Sequence, residues 1–350
     1  MAEHFKVAII GAGPGGLGAA TNAAHHGLSH VLFEKSEIGN TIFDYQLRKH
    51  VMDEPGKLPL RSKVGFKAGT REEVLQVWND ALTEHKVNVN KAAVTGLRKV
   101  GDKFEIQYGS QMVTADHVVL AIGLQGSPRR LACPGAESEH VAYTLSDPDA
   151  FEDQDILVVG AGDAAIENAV ALCEKNRVSI LNRSDEFARA KDGNIALITK
   201  AIESKKIRCF YNSDMSRIEG ETAYIETAEK GEVSIKATHI IARIGAIMPR
   251  KFLEDCGIEF PNADMNSVPV VDKTYQCNVP GLHIVGALIG YPLIKQAINQ
   301  GFEVIEHLMG NDIEPADQVL IDERLSHLPG SIADNFEMIR NSVPLFKELS

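Results

Sequence analysis

Short apolar runs alternate along the chain with longer amphipathic stretches, a pattern typical of α/β proteins. The first apolar run, Phe5–Ile10, leads directly into a glycine-rich turn. Small residues then continue with helical spacing to about His26, and Val31–Phe33 forms the next apolar run. The order of strand, glycine turn, helix and strand predicts a βαβ unit at the amino terminus, the setting in which a glycine-rich turn has functional meaning.

The same pattern begins again in the middle of the chain. A stretch rich in proline and glycine, residues 126–135, predicts a linker. After it, Ile156–Val159 leads into a second glycine-rich turn, a small-residue helix and the strand Val178–Leu181. Two apolar runs that end in glycine, residues 118–123 and 240–245, resemble each other. The chain therefore predicts an internal duplication of a whole dinucleotide-binding domain.

Two further helices are predicted by the spacing of apolar side chains. Thr70–Glu73 has the form of a capping box, and the helix after it should pack on a sheet. The second helix follows a strand at residues 282–285, and Pro292 is the residue that we expect to open it. The apolar faces consist of Val74, Val77, Trp78, Ala81 and Leu82 in the first helix and Ile294, Ile298, Phe302 and Ile305 in the second.

Composition and charge exclude several classes of protein. The 350 residues, 44% of them hydrophobic, suffice for roughly two domains. The formal net charge of −12 would repel a phosphate backbone, so we expect no nucleic-acid partner. No apolar run reaches the roughly 18 to 20 residues that span a bilayer, and the chain enters its first strand without an export signal. We therefore expect a cytoplasmic protein without a membrane partner.

The cysteines do not form a local redox or metal site. The five cysteines lie about twenty or more residues apart and include no C-x-x-C, a spacing that excludes a local dithiol or zinc knuckle. The spacing leaves open that distant cysteines meet in the fold. We interpret them as buried thiols in a reducing compartment, and we predict no metal site. They are Cys133, Cys173, Cys209, Cys256 and Cys277.

The first glycine-rich turn predicts a dinucleotide site. Its G-x-G-x-x-G spacing lets the chain turn tightly, approach a pyrophosphate through its backbone and pack the helix close to the strand. The amino terminus of that helix would stabilise the phosphates, and the acid that ends the second strand would accept hydrogen bonds from a ribose. The residues predicted to bind this cofactor are Gly11, Ala12, Gly13, Pro14, Gly15, Gly16, Glu34, the adjoining Lys35, and Gly123 at the end of the later strand.

The second glycine-rich turn predicts another dinucleotide site. Alanine stands at its third glycine position, where only close packing is required. Asn182 occupies the position of the ribose-binding acid, and Arg183 follows it. This neutral residue beside an arginine permits and mildly favours NADPH but does not exclude NADH. The predicted residues are Gly160, Gly162, Asp163, Ala164, Ala165, Asn182, Arg183 and Arg189, although Arg183, Arg189 and Lys191 are alternatively solvated surface charges.

These motifs, together with Val279–Gly286, resemble those of low-molecular-weight thioredoxin reductases. They are still more similar to relatives without a dithiol, the thioredoxin-reductase-like ferredoxin–NADP reductases and bacillithiol disulfide reductases. The resemblance, which covers about residues 5–310, implies an α/β fold of two Rossmann-like domains, each a three-layer ββα arrangement, with the second inserted into the first. It assigns FAD to residues 1–124 and 247–330 and the nicotinamide cofactor to residues 125–246, and it implies a homodimer.

The chain departs from the thioredoxin reductases at three places. Val141–Pro148 stands where those enzymes carry C-x-x-C, so a thioredoxin-type relay is excluded. Residues 182–188 align with the NADPH motif H-R-R-x-x-x-R but keep one of its three arginines, with Arg189 a residue late. Ala287 replaces an aspartate that holds the ribityl chain, which should weaken FAD binding by roughly tenfold or more.

Further flavin-binding residues are implied by the same resemblance. Lys295, Gln296 and Ala297 match a segment at a helix start beside the flavin ring, where a cation would stabilise the charge of reduced flavin. The alternative for Lys295 is a surface lysine on an amphipathic helix. Gly286 and Ala287 lie in the flavin motif, and Asn40 and Thr41 align with a flavin-contacting segment. No catalytic acid or base is assigned, although His50 and Glu54 lie in a loop expected near the flavin.

The preferred function is that of an FAD-dependent enzyme. Hydride would pass from NADH or NADPH to FAD and then to an external acceptor, either a ferredoxin-like carrier or a small disulfide. A second hypothesis is a nucleotide- or redox-sensing flavoprotein coupled to a partner or to a cyclic-nucleotide module. A flavin monooxygenase is disfavoured, because residues 134–140 lack the phenylalanine of its F-x-G-x-x-x-H motif.

The carboxyl-terminal tail adds one further hypothesis. Ser342–Ser350 resembles the entry segment of cyclic-nucleotide-binding domains, and flavoproteins of this type fused to such a domain are known. Residues 331–350 are therefore interpreted as a tail that begins a truncated or split cyclic-nucleotide-binding domain. The alternative is an ordinary amphipathic tail.

Overall fold

The structure, a computed structural model, describes residues 2–265 and 267–342. The chain divides into two compact units. Unit one comprises the amino-terminal segment to Phe43, Arg48–Gly126 and the segment from Met248 onward. Unit two comprises Asp44–Leu47 and Ser127–Ile247. The assignment of one cofactor to each part of the chain stays a prediction, and the tail residues 343–350 lie outside the described residues.

Both units contain strands and helices. The strands are β1 (His4–Ile10), β2 (His30–Phe33), β3 (His50–Val51), β4 (Gly69–Thr70), β5 (Val89–Asn90), β6 (Val94–Val100), β7 (Lys103–Tyr108), β8 (Gln111–Leu120), β9 (Val141–Ala142), β10 (Asp155–Val159), β11 (Arg177–Leu181), β12 (Ile207–Phe210), β13 (Ser213–Glu219), β14 (Thr222–Thr227), β15 (Gly231–Lys236), β16 (His239–Ala242) and β17 (Leu282–Ile284). The helices are α1 (Pro14–His25), α2 (Asn40–Phe43), α3 (Arg71–Glu84), α4 (Asp163–Leu172), α5 (Asp192–Glu203), α6 (Arg250–Asp255), α7 (Ile294–Leu308), α8 (Gln318–Leu325) and α9 (Ile332–Ser342).

Unit one is built on a sheet with strand order β5-β2-β1-β8-β7-β6. Strands β1, β2, β5 and β8 are parallel, and β17 pairs in parallel with the second half of β8, where Leu282 lies opposite Val118. The first half of β8 instead pairs antiparallel with β7, which pairs antiparallel with β6. The long strand β8 therefore belongs to both a parallel sheet and an antiparallel ribbon. The adjacent segments Val7–Ile10 of β1, Val31–Phe33 of β2 and Val118–Leu120 of β8 are apolar because both of their faces are buried.

Unit two repeats this architecture with separate sheets. Five parallel strands have the order β12-β11-β10-β16-β9, and β13, β14 and β15 form an antiparallel sheet. One buried cluster joins the parallel sheet to α4 and α5, and a second joins its other face to the antiparallel sheet. The layers are thus antiparallel sheet, parallel sheet and helices, which confirms the α/β, three-layer ββα fold class.

The two ends of unit two lie side by side. The Ile247 amide donates to the Ser127 carbonyl at 2.9 Å, and the Arg129 amide donates to the Gly245 carbonyl at 2.9 Å. Between them, Pro128 forms an antiparallel bridge with Ala246. The inserted segment therefore enters and leaves unit two at one place.

Helices α1 and α7 approach each other through glycines. A Cβ atom added at Gly301 in α7 would lie 1.9 Å from the Gly15 carbonyl oxygen, and one at Gly18 in α1 would lie 2.2 Å from the Ile298 carbonyl oxygen. Distances this short leave no room for any side chain at either position. The backbones of the two helices are therefore in direct contact.

Several local expectations are confirmed, and others change in detail. The capping box of α3 forms, with the Glu73 amide donating to Thr70 Oγ1 and the Thr70 amide donating to Glu73 Oε2. Trp78 of that helix is fully buried, but Val77 is 44% exposed, so the apolar face is narrower than expected. Helix α7 is not opened by Pro292: its N-cap is Leu293 and its first residue is Ile294.

Some elements were not predicted from the pattern. They include the antiparallel strands β6 and β7 in unit one and β13, β14 and β15 in unit two, as well as several short strands and helices such as β12 and α5. Within the residues that the structure describes, none of the helices combines the length and the hydropathy of a membrane-spanning segment.

We expect Gly301→Ala to destabilise unit one. The added methyl group would meet the Gly15 carbonyl oxygen and the Ala19 amide nitrogen, and overpacking of this kind costs typically about 1–3 kcal/mol. The thermal unfolding midpoint, followed by circular dichroism, measures the effect. Gly193→Ala in α5 is the matched control, because a Cβ there meets no atom within 4 Å, and it should leave the midpoint unchanged or slightly raised. Equal midpoints for the two variants would contradict the close contact of α1 and α7.

Candidate functional site

The first glycine-rich turn lies where β1 ends and α1 begins. Gly11 has φ of +100°, which favours glycine, and a Cβ there would lie 2.7 Å from the Ala121 carbonyl oxygen. A Cβ at Gly16 would lie 1.8 Å from the Gly11 carbonyl oxygen, so the helix starts directly against the turn. Gly13 is the N-cap of α1 and Pro14 its first residue. No side chain caps this helix end, which leaves amide groups of its first turn available to a phosphate.

Glu34 is bound to the turn by its carboxylate. It follows β2, is 8% exposed, and its Oε2 accepts from the Ala12 amide at 2.8 Å while Oε1 accepts from the Ser36 amide at 2.8 Å. Each carboxylate oxygen has a further acceptor site, so ribose hydroxyl groups are compatible with both bonds. The structure therefore brings Glu34 together with the predicted phosphate turn.

The start of α7 lies against the same turn. A Cβ at Gly15 would lie 2.8 Å from Cγ2 of Val285 and 3.3 Å from the Ala297 carbonyl oxygen. Gly286 has φ of +73°, and its amide donates to Gln300 Oε1 at 2.8 Å. Ala287 follows it in a short 3₁₀ turn, Gly286–Ile289. Unit one thus brings the flavin motif and the helix start to the glycine-rich turn.

Lys295 is not a surface lysine. Its side chain is 7% exposed and forms an ion pair with Asp53, with 2.7 Å between Nζ and Oδ1. Nζ also donates to the Pro55 and Gly56 carbonyl oxygens at 3.3 and 3.4 Å. The surface-lysine alternative is therefore wrong, and Asp53 is a partner of Lys295 that sequence analysis missed. The ion pair holds the ammonium group in one place at the start of α7.

Lys295 belongs to a polar stripe on one face of α7. Asn299 and Glu303 follow at intervals of four residues, and all three are at most 6% exposed. Asn299 accepts from the Arg61 amide at 2.9 Å and donates to the Pro59 carbonyl oxygen at 2.8 Å. Together with Lys295 it clamps residues 53–61 to α7, which positions the loop that the sequence predicts near the flavin.

Gln296 carries a buried acceptor without a partner. Its Nε2 donates to Asp317 Oδ2 at 3.3 Å, but its Oε1 is buried and makes no hydrogen bond to the described part of the chain. A buried polar atom of this kind is costly unless a bound group satisfies it. Together with the open helix start beside it, this atom fits a bound cofactor with N–H donors.

Glu303 has an unusual environment for a carboxylic acid. Burial raises its pKa to about 7, although Tyr275, the Ala316 amide and Arg61 all favour the ionised form. Tyr275 donates to Oε2 at 2.5 Å and the Ala316 amide donates to Oε1 at 2.7 Å. Asp317, which also lies near, has a pKa raised chiefly by its own burial.

The remaining predicted flavin residues are less constrained. Lys35 is exposed, and its Nζ lies 3.5 Å from the Gly126 carbonyl oxygen. Asn40 and Thr41 begin the one-turn helix α2 and are half-buried. Gly123 has φ of +60° and a Cβ there would meet no atom within 4 Å, so space is open beside it. Their contribution to binding stays a prediction.

The second glycine-rich turn has the geometry of the first. Gly160 has φ of +130°, and a Cβ there would lie 2.2 Å from the Arg243 carbonyl oxygen. Gly162 is the N-cap of α4, without a side-chain cap, and a Cβ there would meet no atom within 4 Å. Ala165 is fully buried, as its packing position requires, whereas Ala164 is half-buried in the first turn of α4. The backbone above Gly162 is therefore open to a ligand.

The polar side chains near this turn already form hydrogen bonds with other residues of the chain. Asp163 Oδ1 accepts from the Lys191 amide at 2.8 Å and from Asn194 Nδ2 at 2.7 Å. Asn182 is 2% exposed, donates to the Glu186 carbonyl oxygen and accepts from the Ser184 amide. The side-chain amide of Asn182 therefore stabilises the loop after β11 and has few hydrogen-bonding groups left for a ribose. Arg183 and Arg189 are exposed on or after that loop.

Arg243 is a second residue that sequence analysis missed. It follows β16 directly, its amide donates to the Val159 carbonyl oxygen at 2.7 Å, and its Nη1 donates to the Tyr143 carbonyl oxygen at 2.6 Å. Its backbone therefore lies beside the second turn, and its guanidinium group lies against the residue that follows β9. The run at residues 240–245 indicated the strand but not the role of a charged residue at its end.

None of the cysteines has the character of a reactive thiol. Burial raises the pKa of the thiols, to about 12 for Cys209 and Cys256, and it raises those of Cys133, Cys173 and Cys277 as well. All five are free thiols. Thiolate is the nucleophile in disulfide exchange, so these residues are unsuited to an internal relay.

Comparison with known proteins identifies relatives along most of the chain. Residues 8–286 match the family model described as pyridine nucleotide-disulphide oxidoreductase. A ferredoxin–NADP reductase of Ignicoccus hospitalis is 27% identical over 301 residues, which cover 84% of this chain and 93% of that protein. The bacilliredoxin reductase Bdr of Bacillus subtilis is 24% identical over 294 residues, which cover 81% and 89%.

Solved structures have the same fold. The bacillithiol disulfide reductase Bdr of Staphylococcus aureus superposes with a TM-score of 0.80 at 22% identity and covers 88% of this chain and 99% of that one. A thioredoxin reductase of Lactococcus lactis superposes with a TM-score of 0.73 at 22% identity and covers 87% and 98%. At this level of identity the similarity concerns the fold alone.

We expect Glu34→Gln to weaken FAD binding. Both carboxylate oxygens accept from backbone amides, so a glutamine must turn its NH₂ group toward one N–H donor and disturb the turn. Loss of a charged hydrogen bond corresponds to a dissociation constant about tenfold to hundredfold higher. Titration of the apoprotein with FAD measures this constant. Glu37→Gln, at an exposed acid paired with Lys91, is the control, and equal constants for both variants would remove Glu34 from the site.

We expect the stability of the protein to fall between about pH 4.5 and pH 7 because of Glu303. The folded state holds its proton up to about pH 7, whereas the unfolded state releases it near pH 4.5, so the stabilisation present below pH 4.5 is lost as the pH rises through 7. This amounts to at most about 3 kcal/mol. Thermal unfolding of Glu303→Gln should therefore show a smaller loss of stability across this pH range than the wild type.

Glu306→Gln is the control, because ionisation of Glu306 gives the opposite pH dependence of stability. Burial opposes the ionisation of Glu306, but hydrogen bonds from Asn22, His26 and Asn311 prevail and lower its pKa. Its stabilisation is present above pH 4.5 and is lost as the pH falls through the lowered pKa. The variant should therefore be destabilised most at neutral pH. Parallel pH profiles for the two variants would refute the assigned ionisation of Glu303.

Proposed function

Because the chain belongs to the pyridine nucleotide-disulphide oxidoreductase family, we propose that it passes hydride from NAD(P)H to FAD and then electrons to an external acceptor. The protein is an FAD-dependent NAD(P)H oxidoreductase. The observation that carries this function is the pair of glycine-rich turns, each at the carboxyl end of a parallel strand and each leading into an uncapped helix start. Family membership favours this enzyme over the sensor and the monooxygenase.

We propose that each turn holds one cofactor. The turn Gly11–Gly16, Glu34, and the residues from Gly286 to Ala297 fit FAD, and the unsatisfied Oε1 of Gln296 supports a bound group at the start of α7. The turn Gly160–Ala165 fits the nicotinamide dinucleotide, since the space above Gly162 is open. The flavin supplies the redox chemistry, accepting two electrons as hydride and releasing them singly or in pairs.

The protein's own residues supply position and charge. Lys295 is held by Asp53 at the start of α7, where a fixed cation and the positive end of the helix stabilise negative charge. The clamp of α7 on residues 53–61 keeps this ammonium group from turning into solvent. The role of Lys295 is therefore electrostatic, and no residue is assigned as a proton donor.

The acceptor takes its electrons without help from cysteine. The chain has no C-x-x-C, and burial raises the pKa values of its thiols, so an internal thiol relay is disfavoured. We propose a ferredoxin-like carrier or a small disulfide, the two acceptor types in the names of similar proteins. Assembly as a homodimer and a cytoplasmic location also stay proposals.

Anaerobic titration tests the function. The purified protein should carry the absorption band of bound flavin, and NADPH or NADH should bleach it with one equivalent per flavin. Parallel titration with each nucleotide measures which one the second turn prefers. A protein that binds FAD but is bleached by neither nucleotide would refute the reductase, and one that never binds FAD would refute the first site as well.

A further inference from the structure

Arg243 lies at the switch point of the parallel sheet in unit two. From β10 the chain continues through α4 to β11 on one side, whereas β16 lies on the other side. In open α/β sheets, ligands bind beyond the carboxyl ends of the strands at the point where the order reverses. Arg243 is the first residue after β16, and Gly160 is the first after β10. The arginine therefore lies at the ligand-binding edge of the sheet.

One hydrogen bond fixes the position of the guanidinium group, but not all of its N–H donors have a partner among the described residues. Its Nη1 donates to the carbonyl oxygen of Tyr143, which follows the neighbouring strand β9. Its Nε is buried and makes no hydrogen bond to the residues that the structure describes. Arginine has five N–H donors in a rigid fork, so one bond to a carbonyl oxygen leaves most of its capacity unused.

The unmet cost at this cation is its buried Nε–H, which finds no acceptor within the described ranges 2–265 and 267–342. Burial lowers the pKa of Arg243, although Tyr45, Asp44 and Glu167 favour its charged form. Buried charges are normally paired, and an unpaired polar hydrogen costs about 1–3 kcal/mol. The groups that face it are thus a neutral phenol and two carboxylates, of which Glu167 is on α4, the helix that the glycine-rich turn begins.

A phosphate bound at the second turn would supply an acceptor for the Arg243 Nε–H. The backbone of Arg243 lies against the turn, since a Cβ at Gly160 would lie 2.2 Å from the Arg243 carbonyl oxygen. Its guanidinium group interacts with Glu167 on α4, the helix whose first amide groups follow that turn. Arginine and a helix amino terminus are the two donor types that proteins most often combine for phosphate groups. Arg183 instead lies two residues after β11 and Arg189 eight residues after it, and both are exposed.

We infer that Arg243 binds the pyrophosphate of the nicotinamide dinucleotide and is a binding residue of the second site. The inference rests on the proposed function, because it takes the ligand of unit two to be NAD(P)H. It assigns separate tasks to the arginines: Arg243 recognises the group common to NADH and NADPH, whereas Arg183 and Arg189 would act only on the 2′-phosphate that distinguishes them.

The test is a ligand-binding measurement on the FAD-loaded protein with the variants Arg243→Met and Arg243→Lys. Isothermal titration calorimetry with ADP-ribose, NAD⁺ and NADP⁺ should show affinities about tenfold to hundredfold lower for Arg243→Met, as expected for loss of charged hydrogen bonds. The loss should be the same for all three ligands, because all contain the pyrophosphate. Arg243→Lys keeps the charge but not the fork and should regain part of the affinity.

Inorganic pyrophosphate distinguishes a binding role from a structural one. It should compete with ADP-ribose in the wild type and lose this ability in Arg243→Met, an effect that mere loosening of β9 would not produce. Arg177→Met is the matched control, because Arg177 begins β11 at the amino end of the sheet and pairs with Asp155. Its affinity should equal that of the wild type.

The outcomes separate the inference from the function on which it rests. An ADP-ribose affinity of Arg243→Met within twofold of the wild type, or an equal loss in Arg177→Met, would overturn the inference alone. A wild-type protein that binds FAD but no nicotinamide nucleotide would overturn the proposed function itself. Should Arg243→Met fail to fold, Arg243→Lys and pyrophosphate competition in the wild type decide the matter: unchanged ADP-ribose affinity or absence of competition would refute the assignment.

Discussion

Direct contact between backbones, made possible by glycine, determines the geometry of unit one. Helix α1 touches the turn that precedes it at Gly16 and touches α7 at Gly18, while α7 returns the contact at Gly301. Backbone atoms cannot change rotamer, so these contacts fix the phosphate turn relative to the start of α7 more rigidly than side-chain packing does. Lys295 and Gln296 therefore stand at a defined distance from the turn before any cofactor is bound.

The part of the fold that sequence analysis predicts is the part with strong local signals. An apolar run of at least four residues followed by closely spaced glycines identifies β1 and β10, because buried parallel strands and phosphate turns each require that residue pattern. The antiparallel strands give a weaker signal. In β7, buried Phe104 and Ile106 alternate with charged or polar residues, but this period of two extends over only six residues and did not lead to a predicted strand. Such short alternations are easily taken for connecting loops.

In the candidate site, too, the sequence predicts contacts between residues that are close along the chain but not between residues that meet only in the fold. The glycine turns and Glu34 follow from spacing alone, since strand, turn and helix are consecutive. The partner of Lys295 is Asp53, more than 200 positions away, and nothing near either residue indicates that they meet. The same holds for Arg243, whose position beside Gly160 results from the pairing of β10 with β16. One sequence without the fold carries no signal for either contact.

The meeting of the two ends of unit two, at Pro128 and Ala246, also bears on how unit one folds. An unfolded insert of roughly 120 residues would impose a large loop-closure entropy on unit one. Once the insert has folded with its ends together, the connection behaves like a loop of a few residues. The entropic cost of closing it is then about 3 kcal/mol lower than with an unfolded insert. Folding of the inserted unit thus stabilises its host through the chain connection alone, which favours a sequence of events in which the insert forms first.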